Sequence, residues 1–340
     1  MPQLTFEGSR LHEDVLNQGF ALVSHDIPSE AIDELVAAYA AFTDGLPDPS
    51  LELMSRMLPD EADPEKLGHL LDELDQSQDT GGEWHKYRTN HLLPPYHKPG
   101  GYTNRSLATE ALLAVRGVRL KDDPKEYYHY HPQAYGALRA MHRDRGWGPI
   151  PPEVGALHGK FQVVRQMAST AIWRISRELE ENHPELCDRM MTPRNVEFSP
   201  MRLIFYHPGQ GPMLAGGHYD KSLNTLQIAE SHEGLRVRDP SRADEPWDGP
   251  AEDDPRMQLL VRPPDQGVFF QGKLWTAPDA FPHSPHQPGW HDVVNLPTPN
   301  EGRILHGRNC ARWSLIWFTR SEATISKAEA HSEQAVVSVA

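Results

Sequence analysis

Two hydrophobic periods divide the chain. Before Asn195 apolar residues recur every three or four positions; after it they alternate every second position. In the first part, Gly19-Phe20-Ala21-Leu22-Val23-Ser24-His25 predicts a short strand. Ser29 then stands as an N-cap to a helix carrying Ile32, Leu35, Val36 and Tyr39 on one face. A second helix is predicted near Pro64 to Leu74, with the acidic run Asp72 to Asp75 as a solvated face. Val154 to Glu181 predicts a long helix whose stripe runs through Phe161, Val164, Ala168, Ala171, Ile172, Ile175 and Leu179. Pro184 ends it. Strands are predicted over Met201 to Tyr206, His218 to Ile228, Leu235 to Arg238, Met257 to Val261, Gly267 to Leu274, Trp290 to Leu296 and Arg312 to Phe318. Short strands between turn-rich loops are the pattern of a jelly roll or sandwich. The expected architecture is therefore mainly β with flanking helices. An α-rich region over 1–195 packs on a β core over 196–321, followed by a tail over 322–340.

Composition narrows the function classes. Across 340 residues, 33 Lys and Arg face 48 Asp and Glu, a formal charge of −15. Such a chain repels phosphate backbones, so nucleic acid is not an expected partner. Two cysteines, Cys187 and Cys310, exclude a disulfide scaffold and a Cys-rich zinc site. No apolar run approaches the roughly 20 residues of a membrane span. The first residues lack the basic and apolar blocks of a signal peptide. The expectation is a soluble, cytoplasmic protein acting on a small molecule.

The chemistry centres on Gly216-Gly217-His218-Tyr219-Asp220-Lys221. In a strand, residues two apart share a face, so His218 and Asp220 would point the same way. An imidazole beside a carboxylate is half of a 2-His-1-carboxylate iron triad, which needs one further His. The paired glycines allow close approach of backbone or ligand. Far downstream, Arg312 and Ser314 sit two apart at the head of an apolar strand. A guanidinium fork fits a carboxylate, and the hydroxyl adds a donor. The aromatic segment Tyr127 to His131 reads as packing against the β core, and His25 as structural. The Gly- and Pro-rich loop holding Trp84, Arg88, Tyr96 and Tyr102 is of the kind that covers active sites.

Residues 196 to 320 resemble the iron- and 2-oxoglutarate-dependent dioxygenase superfamily, in the branch of isopenicillin N synthase. The resemblance rests on His218-x-Asp220, the Gly234-Leu235-x-Val237 strand, a distal His followed by x-Val, and Arg312-x-Ser314, in that order. It implies a double-stranded β-helix holding Fe(II) through His218, Asp220 and a distal His. It also implies that Arg312, Ser314 and Tyr206 grip 2-oxoglutarate, with O2 as oxidant and ascorbate as reductant. The implied reaction is hydroxylation, desaturation or cyclisation at an unactivated C–H bond, in secondary metabolism, with release of succinate and CO2. A carboxylate at 220, where halogenases of the family carry a small residue, argues against halogenation. His291 is the favoured distal ligand, because Trp290-His291-Asp292-Val293-Val294 resembles the family's His-Arg-Val-Val; His306, His283 and His286 are the other candidates. A long hairpin turning near Glu301-Gly302 is expected to place His291 opposite Arg312. Arg202, Lys221, Trp84 and Arg88 are candidates for shaping the substrate pocket. Two other readings stand beside this one: an iron oxidase that does not use 2-oxoglutarate, and a metal-free ligand-binding barrel.

Overall fold

The computed structural model describes residues 3–4, 10–44, 101–104, 125–132, 152–180, 199–207, 211–276, 288–296, 304–305 and 308–320, and positions 135, 136, 139, 143, 149, 150, 192, 195 and 196. The helix expected near 64–74, the loop of Trp84, Arg88 and Tyr96, the tail over 322–340, and His283, His286 and His306 lie outside the described residues.

The strands are β1 (Gln3–Leu4), β2 (Phe20–Ser24), β3 (Gly101–Asn104), β4 (Lys125–Tyr130), β5 (Met201–Tyr206), β6 (Met213–His218), β7 (Asn224–Glu230), β8 (Leu235–Arg238), β9 (Met257–Leu260), β10 (Gln266–Gln271), β11 (His291–Val294), β12 (Ile304–Leu305), β13 (Arg308–Asn309) and β14 (Arg312–Thr319). Helices among the described residues are α1 (Leu11–Gln18), α2 (Ser29–Asp44) and α3 (Pro152–Glu180). A five-stranded sheet, β1-β9-β8-β11-β6, faces a seven-stranded sheet, β2-β10-β7-β14-β5-β4-β3. Within them, β5-β14-β7-β10 and β6-β11-β8-β9 are the two interleaved four-stranded layers of a double-stranded β-helix, as expected.

Alternation along each strand divides the apolar residues between two cores. Facing residues of both sheets, among them Ile204, Tyr206, Leu214, Val237, Val268, Phe270 and Val293, fill the space between the sheets. The opposite face of the larger sheet, with Leu203, Phe205, Trp313, Leu315 and Trp317, packs on the helices through Tyr39, Leu157, Phe161, Val164 and Ile172. The aromatic segment obeys the same alternation. Tyr130 stacks on Phe161 with ring centroids 4.9 Å apart, and Phe42 meets the Tyr128 edge at 5.5 Å. Tyr127 belongs instead to the core between the sheets.

Three expectations are corrected. The strand over His218 to Ile228 is two strands, β6 ending on His218 and β7 beginning at Asn224. The chain bends between them because Gly272 N donates to Leu223 O and Lys273 N to Asp220 O, at 2.8 and 2.7 Å, drawing the backbone out of the sheet. The long hairpin does not form: β11 pairs with β6 and β8 in one sheet, while β14 pairs with β5 and β7 in the other. Among the described residues between them is the small β12–β13 hairpin. The region over 1–195 does more than pack on the core, since β2 pairs with β10 and β4 with β5. It extends the larger sheet at both edges.

Near the helix–sheet core, His158 sits among the rings of Tyr128, Tyr130 and Tyr135, and shares a 2.5 Å hydrogen bond with Tyr128 Oη. Burial pushes its imidazole down to about 4. Between that value and the ordinary histidine range, the unfolded chain binds a proton that the native state refuses. Stability is therefore full above the ordinary range and falls as pH drops toward 4, by about 3 kcal/mol from this one group. Thermal unfolding followed from pH 7 to pH 4 is expected to show a shallower loss in His158→Gln than in the unsubstituted chain.

Candidate active site

His218 closes β6 and His291 opens β11, and the two are register partners across the smaller sheet. Their rings lie 4.5 Å apart, centroid to centroid. Asp220 follows β6 in the bend, with Oδ1 3.8 Å from His218 Nε2 and Oδ2 3.8 Å from His291 Nε2. One ligand atom from each of the three lies within 4.8 Å of the others. The carboxylate thus reaches the imidazoles by a turn, not by strand alternation.

The second nitrogen of each ring is already engaged. His218 Nδ1 lies 2.9 Å from Gly216 O, and His291 Nδ1 3.0 Å from Gly289 O. A carbonyl only accepts, so each Nδ1 carries the proton and each Nε2 keeps its lone pair for a metal. Desolvation first, and then the neighbouring His291 ring, holds His218 below the usual histidine range. Phe270 packs 4.5 Å from the His291 ring. One of the paired glycines finds its reason here: a Cβ on Gly217 would lie 2.6 Å from the Trp290 indole.

Two features of this wall have no counterpart in any local motif. Asp292 is fully engaged by Arg236, Nε to Oδ1 at 2.9 Å and Nη2 to Oδ2 at 2.7 Å, and Arg236 also caps the Ala251 and Glu252 carbonyls. This buried pair fixes β11 to β8 immediately beside His291. The second is Gly272, where a Cβ would sit 1.9 Å from Ser222 O. Gly272→Ala is expected to push the 220–223 bend outward, costing about 1–3 kcal/mol of stability through overpacking. It should weaken metal binding more than Gly159→Ala in α3, whose Cβ would meet nothing within 4 Å. Thermal shifts with and without Fe(II) read both effects.

The second cluster lies in the larger sheet. Arg312 pairs with Tyr206 in register, and its guanidinium lies 5.7 Å from the Tyr206 ring. Ser314 is buried one alternation further along β14. The structure thus brings Tyr206, Arg312 and Ser314 to one wall, as the sequence suggested. It adds two partners that the sequence did not reveal. Arg312 Nη2 donates to Glu230 Oε2, and its Nε donates to His232 O at 3.2 Å. Arg262 Nε donates to the other Glu230 oxygen at 3.2 Å. Burial works against the Glu230 carboxylate, but Arg312 and Arg262 more than offset it and hold it below its usual range. Among the described residues, two guanidiniums meet this one carboxylate, which leaves one positive charge in excess within the cluster. Arg312 Nη1 is buried with no hydrogen-bond partner among the described residues. Gly234, at φ +150, makes room for this side chain: a Cβ there would meet Arg312 Nε at 3.3 Å.

No protein-family model matches the chain, and no curated protein matches it. Solved structures share its fold. A candidate oxygenase from Shewanella oneidensis is 17% identical, with a TM-score of 0.52, over 96% of this chain and 95% of its own. A candidate 2OG-Fe(II) oxygenase family protein from Caulobacter crescentus is 18% identical, with a TM-score of 0.53, over 92% and 80%. A full-length Neurospora crassa protein in complex with alpha-KG and 5-formyluracil is 15% identical, with a TM-score of 0.51, over 92% and 77%. The chain thus has the double-stranded β-helix that these proteins share. Among the described residues, no helix is long and apolar enough to cross a membrane.

Proposed function

We propose that this chain is an Fe(II)- and 2-oxoglutarate-dependent oxygenase acting on a C–H bond of a small molecule. The observation that carries the reading is the convergence of His218 Nε2, His291 Nε2 and an Asp220 oxygen at one point of the barrel. Two neutral imidazoles and one carboxylate are the donor set of facial non-heme Fe(II) sites. The excess buried charge and the unpartnered Nη1 of Arg312 fit a dicarboxylate co-substrate equally well. The Neurospora protein of the same fold, in its complex with alpha-KG, supports this pairing of fold and co-substrate.

Bound there, Fe(II) with 2-oxoglutarate and O2 supplies the oxidising chemistry, releasing succinate and CO2 as a substrate C–H bond is broken. The chain's own contribution is positional. Gly216 O and Gly289 O set the tautomer and plane of both imidazoles. Lys273 N, bonded to Asp220 O, fixes the bend that presents the carboxylate. Arg312 and Ser314 would hold the distal carboxylate of 2-oxoglutarate, with Tyr206 alongside. Hydroxylation, desaturation and cyclisation all fit an intact carboxylate at 220.

The test is succinate formation by protein purified without O2 and then given Fe(II), ascorbate, 2-oxoglutarate and O2. Succinate above an Asp220→Ala control supports the reading. Bound iron without 2-oxoglutarate turnover would favour an oxidase, and absence of iron binding a non-catalytic barrel.

A further inference from the structure

Arg202 stands on the inner face of β5, in alternation with Ile204 and Tyr206, which belong to the core between the sheets. Its guanidinium is held in an aromatic slot, 4.7 Å from the Tyr127 ring and 4.9 Å from the Phe318 ring. Nη2 lies 3.1 Å from His129 Nδ1, a neutral acceptor. Its Nε is buried with no hydrogen-bond partner among the described residues. Arg236, Arg262 and Arg312 each meet a carboxylate, Asp292 or Glu230. Among the described residues Arg202 meets none.

Arg202 is half-buried, and the two rings and His129 hold its guanidinium in one place. An anion that met it there would gain a charge-assisted hydrogen bond with little further loss of side-chain freedom. The same face of β4 carries Lys125, whose ammonium lies 6.0 Å from the centre of the Tyr206 ring. Apolar side chains, among them Ile204, Leu214 and Val293, fill the core between the sheets onto which this face of β5 looks.

The geometry points to Arg202 as the residue that recognises the substrate, and to a small carboxylic acid with an apolar body as the substrate class. This rests on the oxygenase reading above and adds the substrate's chemistry to it. The acid's carboxylate takes the free guanidinium donors, Tyr127 and Phe318 keep the guanidinium in plane, and the apolar body extends along the barrel wall toward His218 and His291.

The probes are phenylacetate and phenylacetamide, nearly equal in shape and different in charge. Calorimetric titration uses the full chain, loaded with Fe(II) and saturated with 2-oxoglutarate in the absence of O2. Phenylacetate is expected to bind at least about tenfold more tightly than the amide. Arg202→Gln should weaken the acid by about 10- to 100-fold and leave the amide unchanged, while Arg202→Lys should recover part of the loss. The inference is overturned by equal binding of acid and amide, by indifference of the acid to Arg202→Gln, or by no binding of the acid below about 10 mM. Competition of the acid with 2-oxoglutarate would place it at Arg312 and overturn it as well. Succinate formation by the same preparation reports separately on the oxygenase reading, so the two failures are distinguishable.

Discussion

Asp220→Ala is expected to strip the chain of iron and to lower succinate formation by about a thousandfold or more, with little change in the fold. Donor count sets this loss. With the carboxylate gone, two neutral imidazoles remain, and neither supplies the anionic donor that makes a hard Fe(II) site. Disturbing groups that only orient a ligand already costs about 10- to 100-fold, so loss of a ligand costs more. The fold should survive because Asp220 lies in the bend after β6 and its side-chain neighbours are the two imidazoles. Its backbone role, accepting from Lys273 N, is untouched by the substitution. Removing the carboxylate should shift the melting temperature of the iron-free chain by only a few degrees, the scale of about 1 kcal/mol or less. Iron content, succinate yield and thermal unfolding of one preparation decide the matter. Retained iron and retained turnover would mean that the metal is held elsewhere.

Part of this site was legible in the sequence because its signals are local. His218-x-Asp220 and Arg312-x-Ser314 are read within three residues, and period-two alternation along β14 puts Arg312 and Ser314 on one face; Tyr206 came from the family resemblance, since it meets Arg312 only once β5 and β14 pair. The long helix was legible for the same reason, its stripe running from Phe161 to Leu179. What could not be read comes from pairing at a distance. Glu230 meets Arg262 and Arg312 only once β7 and β14 are neighbours, and Arg236 finds Asp292 across 56 positions. No spacing rule encodes such pairs, since a jelly roll joins strands remote in sequence. The expected hairpin after His291 failed through the same cause: a long connection between adjacent motifs looks like a turn until the two strands enter different sheets. α1 was missed for a local reason, with only Leu11 and Val15 buried in eight residues, too few to establish a period.

The Arg262–Glu230–Arg312 triad makes the sharpest thermodynamic prediction, because its two substitutions should have opposite signatures. Arg312→Met leaves Glu230 and Arg262 as a balanced pair. The cost to the empty protein is then limited to the lost bonds to Glu230 and His232 O, about 1–3 kcal/mol. The cost to 2-oxoglutarate is larger: losing one partner of a desolvated charge pair is worth about 2–5 kcal/mol, roughly 30- to several-thousand-fold in Kd. Glu230→Gln does the reverse. It leaves two guanidiniums facing an amide, and the uncompensated buried charge should destabilise the empty protein by about 3–5 kcal/mol. An anion bound at Arg312 relieves that repulsion, so 2-oxoglutarate should raise the melting temperature of Glu230→Gln by more than that of the unsubstituted chain. Thermal unfolding of all three proteins, with and without 2-oxoglutarate, reads every term. Unchanged 2-oxoglutarate stabilisation in Arg312→Met would assign the carboxylate to another cation, with Lys125 the next to test. An unperturbed melting temperature in Glu230→Gln would mean that the triad's excess charge is already balanced, and the argument from it for a dicarboxylate would fall.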